Sequence, residues 1–168
     1  MRIVALLLLL LLSSPLMSTF ALADQVVDCR TKPLACNIFM EARGEPLLGQ
    51  LAVAFVTLNR LQHESFPKTL RGVIFEPKAF SWTTSGTSIV VSTKERNQWE
   101  NSRLIAKFMY RLYETDPVAY RISDPTNGGL FYHADYVRPS WRNNKQVTAS
   151  IGRHIFYRKD SDNWPPDL

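Results

Sequence analysis

Beyond residue 32 the chain alternates apolar runs with proline and glycine breaks. Pro33 stands ahead of Leu34-Ala35-Cys36-Asn37-Ile38-Phe39-Met40-Glu41-Ala42. A proline has no N–H to leave unpaired in a first helical turn, so this spacing predicts a helix from Leu34 to about Ala42. Gly44, with its permissive backbone, is the expected stop. Pro46 opens a second helix through about Leu61. Its apolar set is Leu47, Leu48, Leu51, Ala52, Val53, Ala54, Phe55, Val56 and Leu58, which nearly encircles the axis and marks a central buried helix. Phe66-Pro67 ends that region.

The pattern then weakens. Thr69 to Phe75 fits either one or two helical turns or a strand. Residues 78–91 read as a Ser/Thr-rich loop with a strand at Ile89-Val90-Val91. Ser92-x-x-Glu95 is a capping-box signature. The helix after it sets Leu104, Ile105, Phe108, Met109, Leu112 and Tyr113 on one stripe, and Asp116-Pro117 ends it. Asp124-Pro125-Thr126-Asn127-Gly128-Gly129 is a turn cluster. Two aromatic-rich strands are expected after it, Leu130 to His133 and Ile151 to Tyr157. Residues 24–32 are polar and read as an extended lead-in. Helices first and a small sheet last give an α+β class, with the sheet antiparallel and C-terminal.

Residues 1–23 stand apart. Arg2, the aliphatic run Ile3 to Leu12 and the small-residue site Ala21-Leu22-Ala23 describe a secretory signal peptide cut after Ala23. Ten aliphatic residues fall short of the roughly 20 that span a bilayer. The expectation is an exported, soluble domain over residues 24–168, in the periplasm or at the cell wall, without stable membrane insertion. The 168 residues suit one domain and carry a formal net charge of +5. That charge favours anionic envelope surfaces. It is scattered, and no block of like charge reads as a nucleic-acid arm. Cys29 and Cys36 form an even pair, which an exported protein is expected to join as a disulfide.

Chemistry concentrates in Glu41-Ala42-Arg43-Gly44-Glu45-Pro46. Glu41 falls in the last turn of the first helix, whose negative end disfavours a carboxylate. Its apolar neighbours Ile38, Phe39 and Met40 push its pKa the same way. Glu45 precedes the second helix, where the positive end favours the ionised form. Carboxyls whose surroundings separate their pKa values suggest acid and base roles. Glu41 is therefore the candidate general acid, and Glu45 reads as a helix cap. The histidines His63, His133 and His154 show no H-x-x-x-H or H-E-x-x-H spacing, so no metal or other cofactor is expected.

The Glu41–Pro46 block, Gly49-Gln50-x-Ala52-Val53-Ala54 and Leu58-Asn59-Arg60 resemble the signature of the SleB-type cell wall hydrolases, known from spore-cortex lysis. The likeness continues through Phe66-Pro67-x-Thr69, Gly72-Val73-Ile74 and Phe80-Ser81-Trp82-Thr83. It resumes at Asp124-Pro125-Thr126-x-Gly128-Gly129, Phe131 to Asp135, Pro139-x-Trp141 and Ile151-Gly152-x-His154-x-Phe156-Tyr157. These blocks run in order over about residues 34–158. The resemblance implies peptidoglycan as the partner, a compact and mainly helical fold similar to lysozymes and lytic transglycosylases, and catalysis by Glu41. It implies a substrate-contacting set of Glu45, Ser81, Trp82, Tyr132, His133 and Trp141.

Each of those residues also has a plainer reading. Trp82 is balanced between sugar platform and core anchor. Tyr132 and His133, adjacent on a strand, face opposite sides, so one of them, preferably Tyr132, is expected in the cleft. Trp141 is a platform or a lid, and His154 a structural histidine. Asn59-Arg60 is expected to hydrogen-bond the Glu41 loop. Arg71 stands where relatives carry cysteine, which implies that Cys29 replaces their disulfide partner. The spore members' separate wall-binding domain has no counterpart in these residues, which argues against a spore role. A monomeric lytic transglycosylase acting on the MurNAc–GlcNAc bond leads. An N-acetylmuramoyl-L-alanine amidase, with metal on His133, His154 and Asp135, is the alternative. A non-catalytic wall-binding module is the third possibility.

Overall fold

The apolar block that follows Pro33 forms α1, Pro33–Ala42, with the proline in its first turn. The computed structural model describes residues 23–159 and Ser161, so the expected signal peptide at 1–23 lies almost wholly outside the described residues. Helix α1 is buried nearly all round, including Leu34, Cys36, Ile38, Phe39 and Ala42. Its buried amide at Asn37 is satisfied on both sides, donating to Thr57 Oγ1 at 3.1 Å and accepting from Trp82 Nε1 at 3.0 Å. A buried amide left unbonded would cost about 1–3 kcal/mol, so this polar pair is compatible with the core. Gly44 departs from expectation. It has no left-handed φ, and nothing lies within 4 Å of a Cβ built there. The helix stops instead at the reversal into Pro46, where the Glu45 N–H bonds the Ala42 carbonyl at 2.9 Å.

Helix α2, Leu47–Gln62, follows. It is central from Ala52 to Arg60, all buried, but its first turn lies at the surface, with Leu47 63% and Leu48 51% exposed. The ambiguous segment after it is helical. This is α3, Leu70–Phe75, capped by Thr69, whose side chain accepts the Gly72 N–H. The long α4, Arg96–Thr115, packs on α1 and α2. Its buried face is Trp99, Ser102, Ile105, Ala106 and Met109, while Leu104 and Phe108 point outward at 66% and 61% exposure. The expected stripe is thus rotated, because close helix contact selects small residues that a search for large aliphatics passes over. At Ser92 only half of the capping box forms, the Glu95 carboxylate reaching back to that residue while the Ser92 side chain caps no backbone N–H. Its hydroxyl bonds the Glu95 carboxylate at 2.7 Å, and a 3-10 turn at Thr93–Glu95 leads into α4. Asp116 then caps a short α5, Pro117–Ile122, through the Ala119 N–H.

The strands form two small antiparallel sheets among the described residues. The polar lead-in is β1, Gln25–Asp28, paired with β2, Ser88–Val91. Val27, Ile89 and Val91 point inward while Val26 and Val90 are exposed, the alternation a half-buried sheet requires. A Cys29–Cys36 disulfide, with both sulfurs buried, ties the end of β1 to α1. The C-terminal sheet has the order β3-β5-β4, with β3 at Phe131–Ala134, β4 at Lys145–Ile151 and β5 at His154–Lys159. The expected strand from Ile151 to Tyr157 is instead interrupted by the hairpin turn at Gly152-Arg153. Gly152 is required there. Its φ is +56°, and a Cβ would fall 2.0 Å from Glu45 Oε2.

Candidate active site

Three elements bring the site together. The C-terminal turn of α1 carries Glu41, the end of α2 carries Arg60, and β3 carries Tyr132. The hydrogen bond expected from Asn59-Arg60 to the Glu41 loop is not made among the described residues, although the Arg60 charge acts on Glu41. Asn59 donates to Asp124 Oδ2 at 2.9 Å and to the Gly129 carbonyl at 3.2 Å, and Arg60 Nε donates to the Leu130 carbonyl at 2.7 Å. Both residues therefore fix the loop that delivers β3. Residue 60 is buried because three rings, Phe66, Phe80 and Phe131, lie within 5.7 Å of its guanidinium carbon and take up its charge by cation–π contact.

Tyr132 Oη donates to Glu41 Oε2 at 3.0 Å across 91 residues of sequence. Burial raises the pKa of Glu41 above the ordinary carboxylate value. The Tyr132 hydrogen bond and the Arg60 charge pull in the other direction without cancelling it. The same environment, burial first and then the adjacent Glu41 charge, raises the Tyr132 phenol well above its usual range, so the phenol stays protonated and donates.

Glu41 opens into a cavity of about 880 Å³. Tyr132, His133, Trp141 and Ser81, all expected near substrate, line it. Both adjacent strand residues therefore reach the cavity, although they lie on opposite faces of β3. Tyr132 packs with His154 and Phe156, whereas His133 packs with Tyr157 and Trp141. His133 has both ring nitrogens engaged. Nδ1 faces the Ala134 carbonyl and Nε2 the Tyr157 hydroxyl, each at 2.8 Å. A carbonyl only accepts, so Nδ1 carries a proton, and in the neutral ring Nε2 accepts from the tyrosine.

Two expected contacts lie elsewhere. Trp82 is 9% exposed, anchored on Asn37 and packed edge-on against Phe75, and so serves the core. Glu45 does not cap α2 through its side chain. Its Oε2 accepts the Arg153 N–H at 3.0 Å and pins the β4–β5 turn. Conversely, the cavity includes Glu76, Lys78 and Lys145, which the sequence did not mark, and His154, which it read as structural or, in the amidase alternative, as a metal ligand. Only the position of Glu76, at the end of the short α3 and ahead of Pro77, hinted at a carboxylate held at an element boundary. His154 is 8% exposed, and its Nδ1 is buried with no hydrogen-bond partner among the described residues. Burial lowers its pKa against the opposing pull of Glu45 and Asp135.

Comparison with known proteins adds a family and several relatives. The model of the cell wall hydrolase family matches residues 44–157. Glu41 lies just ahead of that stretch. The spore cortex-lytic enzyme of Bacillus cereus is 35% identical over 124 residues, which is 73% of this chain and 42% of that protein. The enzyme of the same description from Bacillus subtilis is 33% identical over 124 residues, covering 35% of its length. The chain thus spans about two fifths or less of the curated relatives it matches. The crystal structure of the catalytic domain of Bacillus cereus SleB superposes with a TM-score of 0.57 at 34% identity, over 74% of this chain and 86% of that one. The catalytic domain of the germination-specific lytic transglycosylase SleB from Bacillus anthracis gives the same score and identity, over 90% of its chain.

Proposed function

The chain belongs to the cell wall hydrolase family, and from that premise we propose that it is an exported lytic transglycosylase that cuts the MurNAc–GlcNAc bond of peptidoglycan with Glu41 as its general acid and base. The observation that carries this reading is a partly buried carboxyl with a raised pKa, held by one phenol at the wall of a cavity large enough for sugar rings. Raised carboxyl pKa values suit a group that must deliver a proton near neutral pH.

Glu41 protonates the glycosidic oxygen as the bond to the muramoyl anomeric carbon breaks. The resulting carboxylate then takes the proton of the muramoyl 6-hydroxyl as that oxygen closes onto the same carbon, leaving a 1,6-anhydro end. One carboxyl suffices because the nucleophile is intramolecular. Tyr132 holds the carboxylate in place between the two proton transfers. Trp141, 36% exposed at the cavity, offers an aromatic face to a pyranose ring. The Cys29–Cys36 disulfide suits an oxidising compartment and supports export.

Glu76 in the same cavity favours a second reading, hydrolysis by a carboxyl pair. Mass spectrometry of digested peptidoglycan separates the two readings. Anhydro-muramoyl ends are expected. Reducing ends, together with loss of turnover in Glu76→Gln, would establish the hydrolytic route, and released stem peptides would overturn both.

A further inference from the structure

Three cations line the cavity, and they are not equivalent. Arg60 is buried, bonded to the Leu130 carbonyl and surrounded by aromatic rings. Lys78 and Lys145 lie nearer the solvent, and the ammonium of neither makes a hydrogen bond or an ion pair among the described residues. By contrast, the ammonium of Lys68 is bonded to the Gln62 and His63 carbonyls. The Lys145 ammonium stands 4.3 Å from the centre of the Phe131 ring and 5.8 Å from that of Trp141, so its charge is fixed over the aromatic wall. Lys78 is held differently. Its φ is +68° in the turn after Glu76-Pro77, a left-handed conformation that glycine adopts freely and a lysine does not. Strain of this kind concentrates where a side chain has a task.

We propose that Lys78 and Lys145 form a subsite for the acidic peptide that branches from the muramoyl sugar, so that the enzyme prefers strands whose peptide stems carry free carboxylates. This rests on the reading of the cavity as a glycan-cleaving site. A strand of N-acetylated sugars whose lactyl groups are in amide linkage has no charge of its own to offer two unpaired ammonium groups. The stem carboxylates do, and half-burial at Lys145 strengthens the attraction there over that of an open surface. Charge recognition of this kind acts on binding rather than on the chemical step, and salt screens it.

The test compares purified glycan strands carrying free stem carboxylates with the same strands after those carboxylates are converted to primary amides. Wild type should show a KM about tenfold lower on the free-carboxylate strands, with equal kcat, and the difference should shrink as salt is raised. The double variant Lys78→Gly/Lys145→Gln should bring the KM ratio to about one. Lys145→Arg alone should retain the preference. Lys78→Gly relieves the left-handed strain, so it should melt no lower than wild type, which separates charge from folding. Equal KM values for wild type on the two strands would overturn the proposal. So would a double variant weakened equally on both, or competition by a glycerol-phosphate polymer that ignores amidation. Failure of wild type to cut either strand would instead bring down the glycan-cleaving reading, and the subsite with it.

Discussion

At the turn after α5, four donors converge on the two oxygens of Asp124. They are the Thr126 N–H at 2.8 Å, the Thr126 hydroxyl at 2.6 Å, the Gly128 N–H at 2.9 Å and the Asn59 amide at 2.9 Å. Asn59 is itself held by the Tyr120 hydroxyl at 2.8 Å. At the end of α1, Glu41 receives a single side-chain donor among the described residues, from Tyr132. Both carboxyls are withdrawn from water. The first is given enough hydrogen bonds to replace its hydration, which makes it part of the scaffold. The second is left short of donors at the negative end of a helix, beside a cavity. A carboxylate under-supplied in this way favours its protonated form, as an acid catalyst requires.

The largest effects should come from crossing the two sites. Glu41→Gln should lower turnover about 10²–10⁴-fold while the fold persists. Burial raises the folded pKa of Glu41 above its unfolded value. Its ionisation therefore weakens the fold as pH rises through the folded pKa, whereas below the unfolded pKa there is no such loss. The glutamine variant should accordingly melt at or above the wild-type temperature at neutral pH, and the gain should fade on acidification below the ordinary carboxylate range. Asp124→Asn should do the opposite. Its amide cannot accept four bonds, and stranded donors should cost about 3 kcal/mol or more in denaturant unfolding. If Glu41→Gln is destabilised like Asp124→Asn, the contrast between the two carboxyls is wrong.

The sequence carried much of this arrangement where a local rule acts alone. Pro33 and Pro46 marked the entries to α1 and α2, and the apolar ring of α2 marked it as central. The expectation that Glu41 is protonated more readily than a free glutamate rests on its helix end and its apolar neighbours, and of these it is burial that raises its pKa. Other features depend on contacts that no local pattern contains. Strand β4 carries a register shift between Val147 and Ala149 that breaks the period-two alternation a strand is recognised by. Arg60 looked like a partner for the Glu41 loop, yet its Nε bonds the Leu130 carbonyl, which is 70 residues away. Trp82 and Trp141 are each flanked by small or polar residues, and only the Asn37 acceptor puts Trp82 in the core. Glu76, Lys78 and Lys145 become cavity residues when α3 and the C-terminal sheet are brought together.

A smaller effect should come from removing the single donor. Tyr132→Phe leaves Glu41 buried but takes away the hydrogen bond that stabilises its ionised form. Turnover should fall about tenfold, on the scale of one charge-assisted bond of ~1.5 kcal/mol. The high-pH limb of the rate profile, where Glu41 loses its proton, should move to higher pH. A limb that moves to lower pH would mean that the phenol acts on some other group.

Smaller still is the expected response at Glu45. It shares the Glu41-to-Pro46 block, but its carboxylate pins the hairpin turn through the Arg153 N–H. Glu45→Gln keeps an oxygen able to accept that bond, so turnover should stay within a few-fold of wild type and stability should fall by less than about 1 kcal/mol. An inactive Glu45→Gln with an unchanged melting temperature would show that the block holds two chemical carboxyls rather than one.

The last expectation is of no effect. A carboxyl short of donors in a cavity that also holds two histidines is equally what a metal ligand looks like before its ion binds, so the contrast with Asp124 needs a test that separates acid from ligand. Catalytic zinc takes three protein ligands and leaves a position open. Among the described residues no three His, Cys, Asp or Glu side chains converge in that way. His133 would have to give up the Ala134 carbonyl or the Tyr157 hydroxyl to coordinate an ion. Asp135 is exposed and pairs with Arg153 at 3.9 Å. Exhaustive chelation should therefore leave the rate and the anhydro-muramoyl products unchanged, since proton transfer by Glu41 needs no Lewis acid. If chelation abolishes activity, zinc restores it and stem peptides rather than sugars are released, then Glu41 is not the acid. His133, His154 and Asp135 would then be the ligand set of an amidase, and the single hydrogen bond at Glu41 would have to be explained as part of the scaffold after all.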